Sequence, residues 1–393
     1  MVIRLSNNTI HRWAITLNIA ESAYAVALYG IFGDIPALRN FIIVFILMFD
    51  FCVLINQYQN WKVLIAILSV LGVLYGGTCL IYPENADTIS GLLMNTVNYS
   101  LLAFLICVAD DDTLYRSFKS SAYCIVLFCL VEPFTQYTIG KHDGYMVFGF
   151  RMMLGTVLLI YYYFQERKKM QLIMAVVGAV YILLFGNRSA LLIPLICVLI
   201  LWFRGRKNRG RFWKDFLVIA IVGSAVILVY SGALSGIADW LSGFGLSSRT
   251  ISILQGENTV SVFGNNGRDL IWANCIDIIK ANPFTGYGIG GDRNFYLMTE
   301  AYGLNVYAHN FILELMIDFG IPIAVVCMLF ILHCCKKSYK LARYSDAAQS
   351  LLAVMFVSTG IKMLFSSTIW GEFTAYICLG LILHYFSNRN TNN

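Results

Sequence analysis

Apolar residues in this chain gather in long blocks separated by short polar connectors, with neither the strict alternation of a strand nor the one-sided stripe of a soluble helix. A helix crosses a bilayer core in about 20 predominantly apolar residues, and runs approaching that length recur twelve times. They lie at approximately Trp13 to Phe32, Leu38 to Ile55, Lys62 to Tyr82, Ile89 to Val108, Phe118 to Tyr137, Tyr145 to Phe164, Met170 to Phe185, Ser189 to Phe203, Phe216 to Tyr230, Phe311 to Cys335, Ala347 to Phe365, and Phe373 to Phe386. The first is the least uniform, because Glu21 falls near its middle. The pattern predicts an all-α polytopic membrane protein of about twelve transmembrane helices, with residues 1–393 as a single membrane domain. One connector breaks the rhythm. Residues 231–308, between the ninth and tenth runs, are too many for an ordinary link and predict a long extracytoplasmic loop carrying short helices.

Composition agrees with the pattern. Hydrophobic residues make up 59% and charged residues 13%, against about 25% charged in soluble domains, and the mean hydropathy is +0.70. Arg4, His11 and Arg12 precede the first run without a small-residue cleavage site after it, so a retained helix is expected rather than a signal peptide. The eleven cysteines fall almost all inside the runs and include no CxxC pair. Neither a disulfide frame nor a zinc site is expected.

Basic residues in short loops are held on the cytoplasmic side. With both termini inside, the inner connectors and ends hold nineteen of the 28 Lys and Arg residues, including the cluster RGRKNRGRFWK from Arg204 to Lys214. That cluster reads as a topology signal that also meets anionic membrane lipid, not as a nucleic-acid site. Nine basic residues have no such role: Arg39, Lys141, Arg151, Arg188, Arg249, Arg268, Lys280, Arg293 and Lys362.

Three of the nine, Arg151, Arg188 and Lys362, fall within or at the edge of a run at a similar depth near the outer leaflet. A charge at a helix centre costs about 2.5 to 3.5 kcal/mol on insertion scales. Such residues are therefore either functional, or snorkel to the interface, or pair with an acid such as Glu132, also in the outer third of its run. Arg188 stands in GNRSALL between two apolar runs, where topology needs no cation.

The long loop supplies the remaining chemistry. Its first part mixes Gly and Ser with Trp240, Leu241, Phe244 and Leu246, as expected for short helices at a membrane surface. Its second part predicts an amphipathic helix from Arg268 to about Lys280, with Arg268, Trp272, Cys275 or Ile276, and Ile279 on one face and Asp269, Ala273 and Asp277 on another. NPFTGYGIGG then stops the helix and supplies a Gly-rich turn. Because that turn follows a helix end on the outer side, it does not read as a nucleotide site; it lets the backbone approach a ligand or a span closely. An Arg beside the free amides of a helix start makes an anion site, and guanidinium suits bidentate phosphate contacts. Beyond the loop, Asn310, Glu314 and Asp318 share one helical face at the re-entry to the membrane, headed by His309.

The ordered set GNRSALL, GRDLIWANCIDIIKANPFTGYGIGG and AHNFILELMIDFGIP, spread over Leu183 to about Val326, resembles the O-antigen ligase and polymerase family of bacterial surface polysaccharide synthesis. The resemblance implies a glycosyltransferase of the GT-C type in the bacterial inner membrane, with both termini cytoplasmic and an active site facing the periplasm or exterior. It implies transfer of glycan from an undecaprenyl diphosphate-linked oligosaccharide, without nucleotide sugar or metal, alongside assembly partners such as a flippase and a chain-length regulator. The positions that match are Arg188, Arg268, His309 and Glu314, with Asn187 standing where many members have Ser.

Elementary chemistry points the same way. Negative charge grows on a diphosphate leaving group as the anomeric bond breaks, so cations aimed at it favour the transition state. Arg188 and Arg268 are expected in that role, with Arg151, Arg293, Lys362 and Asn310 binding substrate. A neutral imidazole can take the proton of the attacking hydroxyl, which makes His309 the expected base and Glu314 its orienting or substitute acid. Polymerase is favoured over ligase by the breadth of the family alone. A flippase-like transporter of the same glycans is the alternative of another class, although no internal repeat and no midplane cluster of charges supports it.

Overall fold

In the computed structural model, the described residues are 7–32, 35–56, 61–134, 144–205, 268–297 and 306–387. Regular structure among them is helical throughout. In chain order the helices are α1 (Asn7–Phe32), α2 (Pro36–Asn56), α3 (Trp61–Ile81), α4 (Ala86–Val108), α5 (Asp111–Val131), α6 (Gly144–Glu166), α7 (Lys169–Phe185), α8 (Arg188–Arg204), α9 (Arg268–Ala281), α10 (Phe311–Leu341), α11 (Asp346–Phe365) and α12 (Phe373–Ser387). The expected ninth run, Phe216 to Tyr230, the basic cluster beyond Gly205 and the loop from Ser231 to Gly267 lie outside the described residues.

Among the described residues, six helical stretches are long and apolar enough to cross a membrane: Asn7–Phe32, Trp61–Ile81, Asp111–Phe134, Met146–Glu166, Phe311–Tyr344 and Asp346–Phe365. A seventh span results if Pro83–Leu93 and Asn95–Val108, bent by 48°, count as one. Phe41–Asn56, Lys169–Phe185, Ser189–Arg204 and Phe373–Ser387 are apolar but shorter, at 10–17 residues. The chain is therefore a polytopic membrane protein. Its large outward side chains need an apolar solvent: Phe51 on α2, Leu80 on α3 and Phe330 on α10 are 62%, 86% and 66% exposed, an arrangement that water would penalise.

The helices divide into two compact units, Met1–Val53 with Asp110–Gly264, and Leu54–Ala109 with Asn265–Asn393. In the first, α1 and α5 approach through small side chains. The Ser117 hydroxyl donates to the Arg12 carbonyl at 3.2 Å and the Thr16 hydroxyl to the Ser117 carbonyl at 3.4 Å, the close contact that small residues allow between membrane helices. On α6, Gly149 lies so near Gly186 and Asn187 that a Cβ there would be 2.8 Å from the Asn187 nitrogen. Asn187 caps α8, its side chain accepting from the Ala190 N–H at 2.9 Å.

In the second unit, α4 and α12 meet at Gly380, where a Cβ would be 2.7 Å from the Ala103 carbonyl oxygen. The most informative feature is a break in α10. Gly320 has φ 76 and ψ 165 inside the helix, a left-handed conformation that favours glycine. The backbone groups around the break are satisfied by the Gly-rich segment: Tyr287 and Gly288 donate N–H to the Ile317 and Asp318 carbonyls at 2.8 Å each, and Ile321 donates to the Pro283 carbonyl at 2.8 Å. Thus the expected uninterrupted tenth run is two helical pieces held around residues 283–288.

Candidate functional site

The site is assembled within the second unit, from the start of α9 to the loop between α11 and α12. Helix α9 runs as its pattern predicts, but it buries Ile271, Cys275 and Ile279 against Leu297, Ala308 and Ile317. Of the two residues expected on the inner face, Cys275 is the buried one and Ile276 is 45% exposed, because Ile271, Cys275 and Ile279 are spaced by four and line up as one stripe. That packing fixes Arg268 at the first residue of the helix.

The Gly-rich turn approaches a span closely. The Tyr82 hydroxyl donates to the Gly286 carbonyl at 3.2 Å and the Asn85 amide to the Tyr287 carbonyl at 2.8 Å. A Cβ on Gly288 would be 2.5 Å from the Tyr82 ring, so the glycines let residues 286–291 lie on the corner between α3 and α4. The chain then makes a short 3-10 turn, Gly291–Asn294, that buries Asp292 and Arg293.

Arg293 is enclosed by acids. Its guanidinium pairs with the Asp292 carboxylate, reaches the Glu314 Oε1 at 3.3 Å and the Thr368 hydroxyl at 3.0 Å, and lies 5.6 Å above the Tyr307 ring. Burial opposes the charge, but Asp292, Glu314 and Asp318 outweigh it and raise the Arg293 pKa above its ordinary value. Burial raises the Asp292 carboxyl despite Arg293 and the Ala308 N–H beside it. Glu314 accepts from the Thr368 hydroxyl and from the Ile369 N–H at 2.8 Å. The expected shared face of Glu314 and Asp318 exists and is buried, with Asp318 accepting from the Trp370 indole at 2.6 Å. Asn310 is the cap of α10, accepting from Ile312 at 2.9 Å and Leu313 at 3.3 Å.

His309 is held in an unusual backbone state, φ 52, sparsely populated for a residue with a side chain. Both flanking bonds are provided by the preceding alanine: the Ala308 N–H donates to Asp292 Oδ2 at 3.0 Å, and its carbonyl accepts from the Trp272 indole at 3.2 Å. The imidazole packs against Tyr307 at a tilt of 41°, ring centroids 3.9 Å apart, and its Nδ1 is buried without a hydrogen-bond partner among the described residues. Burial and the positive field of Arg268 lower its pKa to about 4, against a smaller raising effect of the Ser366 carbonyl, with Arg293 adding to the depression. The ring is neutral at physiological pH.

Arg268 and His309 meet through Ser366. Arg268 Nη2 donates to the Ser366 hydroxyl at 3.0 Å, and the Tyr307 hydroxyl donates to the Ser366 carbonyl at 3.2 Å. This serine opens the connector SSTIWGE between α11 and α12, which sequence reasoning passed over as a plain link. Its signal was present: five residues that can hydrogen-bond through their side chains lie within seven positions between two apolar helices. Ser366, Thr368, Ile369 and Trp370 all bond to Arg268, Arg293, Glu314 or Asp318.

Two of the other expected cations hold acidic partners. Lys362 pairs with buried Glu372 at 2.8 Å; burial would raise the Glu372 pKa, but Lys362, Ser367 and Thr374 outweigh it and lower it. Arg151 pairs with Glu132 at 2.5 Å, both buried, as the ion-pair alternative anticipated. Arg188 begins α8 in the first unit, at the turn against which Gly149 packs. The structure therefore groups Arg268, Arg293, His309 and Glu314 around one loop, while Glu314 bonds to Arg293, Thr368 and Ile369 rather than orienting His309. Among the described residues no group of three His, Cys, Asp or Glu side chains could hold a metal ion.

A family model described as O-antigen ligase matches residues 172–328, about two fifths of the chain, and supports the resemblance to the O-antigen ligase and polymerase family. No curated protein and no solved structure matches the chain.

Proposed function

We propose that this protein is a polysaccharide polymerase with about twelve spans and a GT-C-like plan, transferring glycan from an undecaprenyl diphosphate carrier to a lipid-linked repeat unit at the outer face of the bacterial inner membrane. The observation that carries the reading is the convergence of Arg268 and neutral His309 on Ser366. The family match supports a ligase- or polymerase-type activity in O-antigen assembly.

In the proposed reaction, His309 takes the proton of the acceptor sugar hydroxyl, the hydroxyl oxygen bonds to the anomeric carbon, and the bond from that carbon to the carrier diphosphate breaks. The electron pair leaves on the diphosphate, which Arg268 stabilises as its charge grows. The depressed basicity of His309 suits this order of events. An anionic donor beside Arg268 offsets the field that depresses the imidazole, so His309 gains basicity only when donor is bound. Arg293 holds Glu314, Thr368 and Asp292 in place, and the membrane helices flank the site for the lipid tail. Arg188 is proposed as an essential cation on its sequence context. A flippase and a chain-length regulator are the assembly partners this role calls for.

The second reading is a ligase that moves the finished glycan to a different acceptor; the printed description of the matched family favours it. One assay separates the readings. Purified protein is given undecaprenyl diphosphate-linked repeat units and its products are resolved on a gel. A ladder from wild type that disappears in Arg268→Ala and His309→Ala supports polymerase, and transfer only after a second acceptor is added supports ligase. No turnover under either condition returns the chain to the transporter class.

A further inference from the structure

The connector between α11 and α12 contributes nothing to the reaction as drawn, yet it touches both reacting groups. Ser366 is a point at which the two arms join. Its hydroxyl takes Arg268 Nη2 at 3.0 Å, its carbonyl takes the Tyr307 hydroxyl at 3.2 Å, and the ring of Tyr307 packs against that of His309. The serine is itself fixed: its N–H donates to the Lys362 carbonyl at 2.8 Å as the cap of α11, and the side chain is buried. Beyond it, Thr368 and Ile369 bond to Glu314, and Ser367 and Thr374 bond to Glu372. The loop is thus anchored at the Ser367 and Thr368 side chains and the Ile369 N–H, and a displacement of Ser366 would have to break bonds on both sides.

We propose that Ser366 is a positioning residue that registers the diphosphate-binding arginine against the catalytic base, setting the aim of Arg268 through its hydroxyl and the pose of His309 through its carbonyl and Tyr307. The proposal rests on the reading of Arg268 as the anion site and His309 as the base. An arginine has several rotatable bonds and loses much of its freedom when held. A neutral acceptor restrains it without cancelling its charge, whereas a carboxylate partner would compete with the substrate for it. The carbonyl arm acts differently. It fixes the ring against which the imidazole packs, so it bears on proton transfer and not on anion binding. The two arms therefore predict different kinetic signatures for their loss.

The test uses full-length purified protein, with farnesyl diphosphate as a soluble polyprenyl diphosphate probe and lipid-linked repeat units for turnover. Ser366→Ala is expected to weaken farnesyl diphosphate binding and raise the KM for donor about tenfold, the usual effect of losing a hydrogen bond to a charged group. Ser366→Thr is expected to restore both, while Ser366→Val, of the same volume as Thr but without the hydroxyl, behaves like Ser366→Ala. The double variant Arg268→Ala with Ser366→Ala should bind no more weakly than Arg268→Ala alone, because the two groups act as one. Tyr307→Phe, which keeps the ring and loses the bond to the carbonyl, should lower kcat about threefold to tenfold at unchanged KM. Wild-type affinity in Ser366→Ala and Ser366→Val, equal loss in Ser366→Thr and Ser366→Val, or full additivity with Arg268→Ala would each overturn the positioning role. Equal binding by wild type and Arg268→Ala would instead overturn the anion-site reading, and the proposal with it.

Discussion

Trp272 donates its indole N–H to the Ala308 carbonyl at 3.2 Å, joining the one-turn mark of α9 to the residue before His309. The bond supports a backbone that His309 would not adopt by itself, φ 52. Trp272→Phe keeps an aromatic body and loses the donor. The expected outcome is a folded protein destabilised by about 1 kcal/mol, with turnover reduced more than donor affinity. Thermal unfolding and steady-state kinetics on the same preparation check this.

Cations in the chain should separate by variant phenotype. Arg151 and Arg293 are buried against Glu132, and against Asp292 and Glu314. Removing one partner of a buried pair costs about 3 to 5 kcal/mol, so Arg151→Ala and Arg293→Ala should reduce the yield of monodisperse protein. Arg268→Ala and Arg188→Ala should instead purify normally and make no polymer. Size-exclusion profiles set beside product gels decide it; a well-folded, inactive Arg293→Ala would move that residue into the reaction.

Acid should destabilise the protein through His309. Its pKa is lowered from 6.5 to about 4 in the folded chain, so between these values the unfolded state binds the extra proton. Stability therefore falls as pH drops from about 6.5 toward about 4. The contribution of a lowered-pKa acid such as Glu372 also disappears on acidification, so the difference between wild type and His309→Gln isolates the histidine. Across that window the unfolding midpoint of wild type should fall relative to that of His309→Gln as pH drops, the two differing at neutral pH only by a constant.

Gly320 should tolerate no side chain. A Cβ there would be 2.3 Å from the Phe284 carbonyl oxygen, at φ 76. A residue with a Cβ held at φ 76 and ψ 165 costs about 1 to 3 kcal/mol, and the clash would push residues 283–288 off the break in α10. Gly320→Ala is expected to lower the unfolding midpoint and to lose activity, while Gly360→Ala, where a Cβ would meet nothing within 4 Å, should do neither.

Periodicity and composition were enough to establish the membrane class and most helix positions, because the bilayer demands an apolar run wherever a helix crosses it. They also located α9 within a residue or so of its ends, and the acidic face of Glu314 and Asp318, since helical spacing maps directly onto a face. Charge counting marked every cation of interest, yet it did not separate those that pair from those that serve the site. Arg293 and Lys362 look like Arg268 in sequence; only the fold brings Glu314 to one and Glu372 to another. The break at Gly320 and the docking of GYGIGG on Tyr82 and Asn85 were likewise invisible, because each joins segments about 200 residues apart or depends on a backbone torsion. The role of Ser366 belongs to the same group. A serine in a short connector carries no pattern of its own, and its meaning comes from Arg268, 98 residues earlier in the chain, arriving 3.0 Å from its hydroxyl.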